Sequence, residues 1–223
     1  MLVSSDLALP RVHVLVSEHE LEDATVLASL NQMFASSEPV AVHLRAHLDA
    51  GELFTAAQQL ARYIEGSSSW LIVNGRPDIA LAAGAHAVQL GHTAPEVQST
   101  REFIDECEGQ LRVGVSVHLP AEAASAVRAG ADYLVLGTIY PTSSHPEVEA
   151  SGASNISETV KCIRDSEVPI LAIGGVNVPR AREVISFGAY GVVVKSAVWS
   201  VPDSAQVVQA LRGAVNDQLG DIV

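Results

Sequence analysis

The sequence predicts a single α/β domain over residues 1–223, closed as an eight-stranded parallel (β/α)8 (TIM) barrel. Three observations predict it. Eight short runs rich in Val, Ile and Leu recur along the chain, and most are near-continuously apolar, as strands covered on both faces are. Segments with apolar residues at i, i+3, i+4 and i+7 lie between them, as parallel neighbours require, because each parallel pair needs a crossover. The first run continues as SEHELED, without the glycine-rich turn that a doubly wound open sheet carries there.

The strand candidates are RVHVLVS (11–17), VAVHLR (40–45), SWLIVN (69–74), HAVQLG (86–91), RVGVSVH (112–118), YLVLGTIY (133–140), PILAIGG (169–175) and GVVVKS (191–196). Helical periodicity runs through 20–35, 49–65, 120–131, 158–166, 178–189 and 204–219, with a short helix at SAVW (196–199). Asp49 and Ser154 stand at N-cap positions, Pro95, Pro120, Pro179 and Pro202 at or near helix starts, and Gly130 and Gly188 at helix ends. The stretch 141–154 is the longest irregular one, and a loop of that length in a compact domain is usually functional.

Composition narrows the partners. Lys and Arg total 13 against 26 Asp and Glu, a net charge of −13, which disfavours nucleic acid and anionic membranes. A small anion remains possible, since a few backbone N–H groups and one local cation can hold it. Cys107 and Cys162 form neither a disulfide framework nor a zinc motif, and no signal peptide or 18-residue apolar run is present, so the expected setting is the cytoplasm.

In such a barrel the chemistry sits at the C-terminal ends of the strands. Gly174 and Gly175 end the seventh run, and Lys195 and Ser196 end the eighth, where barrels frequently bind phosphate; the plainer alternative for the glycine pair is a turn. His118 ends the fifth run, and an imidazole near pKa 6.5 suits proton transfer; the alternative is a structural histidine. Arg45 ends an apolar run and needs an anionic partner, either a ligand or an internal carboxylate. Asn74 and Arg76 lie in LIVNGRPDIAL, where Asn74 also suits an Asn-Gly turn and Arg76 a surface ion pair. Thr142 stands just past the end of the sixth run, on the same rim.

These pieces, HLRAH, LIVNGRPDIAL, AVQLG, VGVSVH, GADYLVLGTIYPT, AIGGV and GAYGVVVKS, resemble the thiamine phosphate synthase / TenI superfamily of small barrels over nearly the whole chain. The resemblance to the synthase branch implies magnesium held by acids after strands three and four. Here those places read Asn74-Gly75-Arg76 and Gly91-His92-Thr93-Ala94, and His47 and His145 stand where lysines are usual. The N-G-R-x-D-I-A-L and S-V-H stretches are closer to the TenI-like thiazole tautomerases. That resemblance implies a metal-free, cofactor-free isomerase and a homodimer, acting on a small phosphorylated thiazole. His118 would move the proton, Arg45, Asn74, Arg76, Thr142, Ser143 and Ser144 would bind substrate, and Gly174, Gly175, Lys195 and Ser196 would bind phosphate. The synthase activity, or a catalytically silent barrel that binds a thiamine-related phosphate, are the alternatives.

Overall fold

The computed structural model describes residues 8–142 and 148–217. Over them the eight runs become β1 (Val12–Val16), β2 (Ala41–Leu44), β3 (Trp70–Asn74), β4 (Ala87–Leu90), β5 (Arg112–Val117), β6 (Tyr133–Leu136), β7 (Ile170–Ile173) and β8 (Gly191–Val194). All neighbours are parallel, and β8 pairs back onto β1 through Val12↔Val192, so the sheet closes in sequence order as an eight-stranded barrel. Closure removes both sheet edges, which otherwise leave unpaired backbone groups.

The helices between them are α1 (Glu18–Glu22), α2 (Ala24–Phe34), α3 (Ala50–Ile64), α4 (Pro77–Ala82), α5 (Val97–Glu106), α6 (Pro120–Arg128), α7 (Ser154–Cys162), α8 (Val178–Ser186), α9 (Ser196–Trp199) and α10 (Ser204–Asn216). Asp49 caps α3 as expected, accepting from the Glu52 N–H at 2.9 Å while Glu52 Oε2 accepts from the Asp49 N–H at 3.1 Å. No helix among the described residues is long and apolar enough to cross a membrane.

Strand alternation sorts the side chains into two cores. One face of each strand packs against the helices, with Val14, Val42, Leu71, Val88, Leu134 and Val192 at its centre. The other fills the barrel with a separate cluster that includes Leu15, Trp70, Ile72, Tyr133, Leu171 and Val193.

Four sequence expectations are corrected. The strand read over 133–140 ends at Leu136, because the segment from Gly137 peels away to bond the end of β7. The helix read over 20–35 is broken at Asp23, whose extended backbone and side-chain bond to the Thr25 N–H start α2 afresh. Ser154 is the first residue of α7 and Ala153 its N-cap. Helices α4 and α5 carry no foreseen periodicity: α4 is only 6 residues long, and the buried stripe of α5 runs Val97, Thr100, Ile104, with a polar residue in its middle.

Gly114 in β5 is where the interior is tightest. A Cβ there would stand 2.1 Å from Tyr133 Cζ and 2.4 Å from Gln89 Oε1, so only hydrogen fits beside the buried ring. Gly114→Ala should therefore lower the urea-unfolding free energy by at least the ~1–3 kcal/mol typical of overpacking. An unchanged midpoint would contradict the packing described.

Candidate active site at the C-terminal rim of the barrel

His118 leaves β5 on the barrel's inner face, two residues above Ser116, whose hydroxyl accepts from Gln89 Nε2 at 3.0 Å. Three bonds hold it. Its backbone N–H donates to Glu122 Oε2 at 2.7 Å, from the first turn of α6. Its carbonyl accepts from Asn155 Nδ2 at 2.9 Å, from α7. Its ring Nδ1 meets the Gly137 carbonyl across the β5–β6 rim. A carbonyl can only accept, so Nδ1 carries the proton, and in the neutral ring Nε2 is left with the lone pair of a base. The exposed position of His118 leaves that nitrogen open to the mouth.

The segment that orients His118 also builds the neighbouring cradle. Ile139 N–H donates to Ile173 O at 2.9 Å and Tyr140 N–H to Gly174 O at 3.0 Å, so the chain after β6 lies directly on the end of β7. The approach is too close for side chains. A Cβ on Gly174 would stand 2.6 Å from Thr138 Cγ2, and one on Gly175 2.6 Å from Pro141 O, while both glycines have positive φ, 98° and 62°. The Gly175 carbonyl accepts from Arg180 Nη1 at 2.6 Å, and that guanidinium lies 4.5 Å from the centre of the Tyr140 ring. In a trans peptide the C=O and the following N–H point opposite ways. With the carbonyls of Gly174 and Gly175 turned to Tyr140 and Arg180, the N–H groups of Gly175 and Val176 turn away from them, and they find no acceptor among the described residues. Successive N–H groups at a left-handed turn form an anion-binding nest. Arg180 was not foreseen, because its role depends on one carbonyl and one ring that the fold brings to it.

The charged candidates divide. Lys195 Nζ is 3.0 Å from Ser17 Oγ and 3.3 Å from Glu20 Oε2, so its charge is already paired. Burial alone would raise the Glu20 pKa, but the hydrogen bonds from Ser17 and the charge of Lys195 outweigh it and hold the carboxyl below its usual range. Ser196 opens α9, exposed at the same rim, and its N–H has no acceptor among the described residues. Arg76 forms a two-pronged pair with Asp78, at 2.8 and 2.6 Å. Arg45 stands exposed above β2, and no hydrogen bond or ion pair engages its guanidinium among the described residues. Thr142 is half-buried after β6, while Ser143, Ser144 and His145 lie outside the described residues.

Below the mouth the interior is polar. His13 Nε2 bonds Pro10 O at 2.8 Å, and His13 Nδ1 bonds His43 Nε2 at 2.8 Å. Both rings are buried, and the His13 ring lies edge-on to Tyr133. Burial pushes the His13 pKa well below its usual value, helped by His43, and pushes His43 down to about 4, with Arg45 adding to the effect and Asn74 opposing it. Neither histidine was singled out from the sequence. The available signal was a polar residue in the middle of each of two adjacent apolar runs.

Comparison with known proteins places these features in a family. Residues 13–198 match the TMP-TENI family profile, described as thiamine monophosphate synthase. A thiamine-phosphate synthase of Geobacillus kaustophilus is 39% identical over 162 residues, 71% of this chain and 70% of that protein. That of Pyrococcus horikoshii is 31% identical over 169 residues, 76% of this chain and 78% of that protein. The solved structure of a thiamine phosphate pyrophosphorylase from Pyrococcus furiosus superposes with a TM-score of 0.78 at 26% identity, covering 94% of this chain and 97% of that one. The first two carry the synthase name and the third the pyrophosphorylase name, and none of the three is named a thiazole tautomerase.

The buried histidines make stability depend on pH. His43 has a folded pKa of about 4 and an ordinary unfolded value of 6.5, so between these values only the unfolded chain is protonated there. Stability is then full above pH 6.5 and falls as pH drops towards 4, by roughly 3 kcal/mol for this ring alone. His13 acts in the same direction, as does His86, also held near 4 by burial. Urea unfolding at steps from pH 7 to 4.5 should follow this decline, and His43→Gln should flatten it. An equal slope in the variant would refute the account.

Proposed function

The chain belongs to the thiamine monophosphate synthase (TMP-TENI) family, and from that premise we propose that its rim catalyses a metal-independent proton transfer, aromatising a carboxythiazole phosphate. The observation that supports this most directly is the His118 tautomer, with Nδ1–H committed to the Gly137 carbonyl and Nε2 free as a base beside an amide nest. Nε2 would take the proton from the ring carbon bearing the carboxylate. The C–H electrons would enter the ring, the double bond would shift inward, and the imidazolium would return a proton to the exocyclic carbon. Nothing is oxidised or reduced. The N–H groups of Gly175 and Val176, with Ser196 beside them, would hold the phosphate, and Arg45 would face the carboxylate. Thr142, half-buried after β6, would contact the bound molecule, and the proposed substrate is a small phosphorylated thiazole.

The second reading is the synthase activity that the relatives' names carry, and those names favour it over the tautomerase. Magnesium on a diphosphate calls for carboxylate ligands. The ends of β3 and β4 do not fit that ion. They offer Asn74-Gly75-Arg76, with Arg76 held by Asp78, and Gly91-His92-Thr93, with no acid. No three His, Cys, Asp or Glu side chains converge among the described residues.

One incubation separates the two. Purified protein mixed with the exocyclic-alkene carboxythiazole phosphate should generate the aromatic product, followed by absorbance, without added metal and undiminished by chelator. His118→Gln should lose about 10²- to 10⁴-fold in rate, the usual worth of a positioned acid–base group. Undiminished turnover in His118→Gln would end the mechanism. Formation of thiamine phosphate from the pyrimidine diphosphate, thiazole phosphate and magnesium would establish the synthase instead.

A further inference from the structure

Asn74 ends β3 on the inner face of the barrel, diagonally across from His43 on β2, whose register partner is Ile72. Its Oδ1 and the Nδ1 of His43 are both buried, and neither has a hydrogen-bond partner among the described residues. The rest of the chain of contacts dictates which atoms carry protons. Pro10 O can only accept, so His13 Nε2 carries a hydrogen. The His13 ring is wholly buried and neutral, so its Nδ1 is a bare acceptor and the hydrogen in the 2.8 Å contact belongs to His43 Nε2. His43 is neutral too, which leaves its Nδ1 as a second bare acceptor, turned towards Asn74. An amide oxygen there would set acceptor against acceptor. Asn74 acts on the His43 ring, and the two ends of its amide are nearly equal in size, so turning it over offers His43 a donor at little steric cost.

We infer that the Pro10–His13–His43 chain claims the amide nitrogen of Asn74, so that Asn74 presents its carbonyl oxygen, a hydrogen-bond acceptor, to the barrel mouth. His13 and His43 are then positioning residues, acting on the ligand only through Asn74. The rim becomes sorted by polarity. Arg45 and the N–H groups of Gly175 and Val176 offer donors to anionic groups, whereas Asn74 rejects a carboxylate or phosphate oxygen and accepts an N–H or O–H from the bound molecule. An asparagine left free to turn over would make no such distinction. The inference rests on the proposed function only in taking the mouth as the substrate site.

The test needs neither substrate nor turnover, so it fails or succeeds independently of the tautomerase reading. In the full-length ¹⁵N-labelled protein at pH 7, ring-nitrogen shifts should identify His13 and His43 as neutral Nε2–H tautomers. A scalar coupling across the hydrogen bond should link Asn74 Nδ2 to His43 Nδ1, and the Asn74 amide protons should exchange with water at least tenfold more slowly than those of an exposed asparagine. His43→Leu should abolish that protection. Nδ1–H on His43, an imidazolium at either position, or Asn74 amide protons exchanging at the exposed rate in the wild-type protein would overturn the inference. The wild-type spectra decide it even if the variant does not fold.

Discussion

The backbone from Gly137 to Pro141 is the constraint on which the rim depends. This segment leaves the sheet after β6 and exchanges its ladder partners for β7 and the residues before α7. Ile139 and Tyr140 donate to Ile173 and Gly174, while the Thr138 and Ile139 carbonyls accept from Ser151 and Gly152 at 2.9 and 3.0 Å. One side of the segment gives the Gly137 carbonyl to His118. The other presses on Gly174 and Gly175 so closely that no Cβ fits. The base and the nest are thus two faces of one piece of chain, and a displacement of that piece would move both together.

That dependence explains what the sequence could and could not disclose. Closure of the barrel was legible because it follows from composition and period, which are local. The strand-end rule placed His118, Gly174, Gly175 and Ser196 at the C-terminal rim without any structure, since their places follow from the strand order alone. The overlong strand at 133–140 failed for a tertiary reason. Gly-Thr-Ile-Tyr has strand composition, but the β7 carbonyls and the Ser151–Gly152 turn compete for its hydrogen bonds and win. Arg180 and the His13–His43 pair escaped because each needs a partner that the fold brings to it, Arg180 the Tyr140 ring and His13 the His43 ring, 30 residues away.

The interior repeats this logic in polar form. Barrel cores are normally filled by layers of branched aliphatic side chains. Here His13, His43, Gln89 and Tyr133 occupy buried inner positions under the mouth, and Gln89 Oε1 and the Tyr133 hydroxyl have no partner there among the described residues. Buried polar atoms without partners are costly, and a fold that keeps them directly beneath a reactive rim spends stability on orientation.

The cations of the rim differ in what it costs to recruit them. Lys195 is bound to Glu20, whose side chain is only 9% exposed and also accepts from the Ser17 N–H at 2.9 Å. Drawing Lys195 towards a ligand would leave a largely covered carboxylate without its counter-charge, which costs more than parting a pair in the open. Arg76 is held by Asp78 in the open, with side chains 42% and 49% exposed, and such a pair is worth only about 0–1 kcal/mol. Arg45 has no ion pair to break among the described residues. On the proposed reading a bound anion would meet Arg45 first, enlist Arg76 cheaply, and leave Lys195 in place as a strut between the β1 and β8 ends. In a chain of net charge −13, this ordering would make backbone N–H groups, rather than lysine, the principal donors to the proposed phosphate.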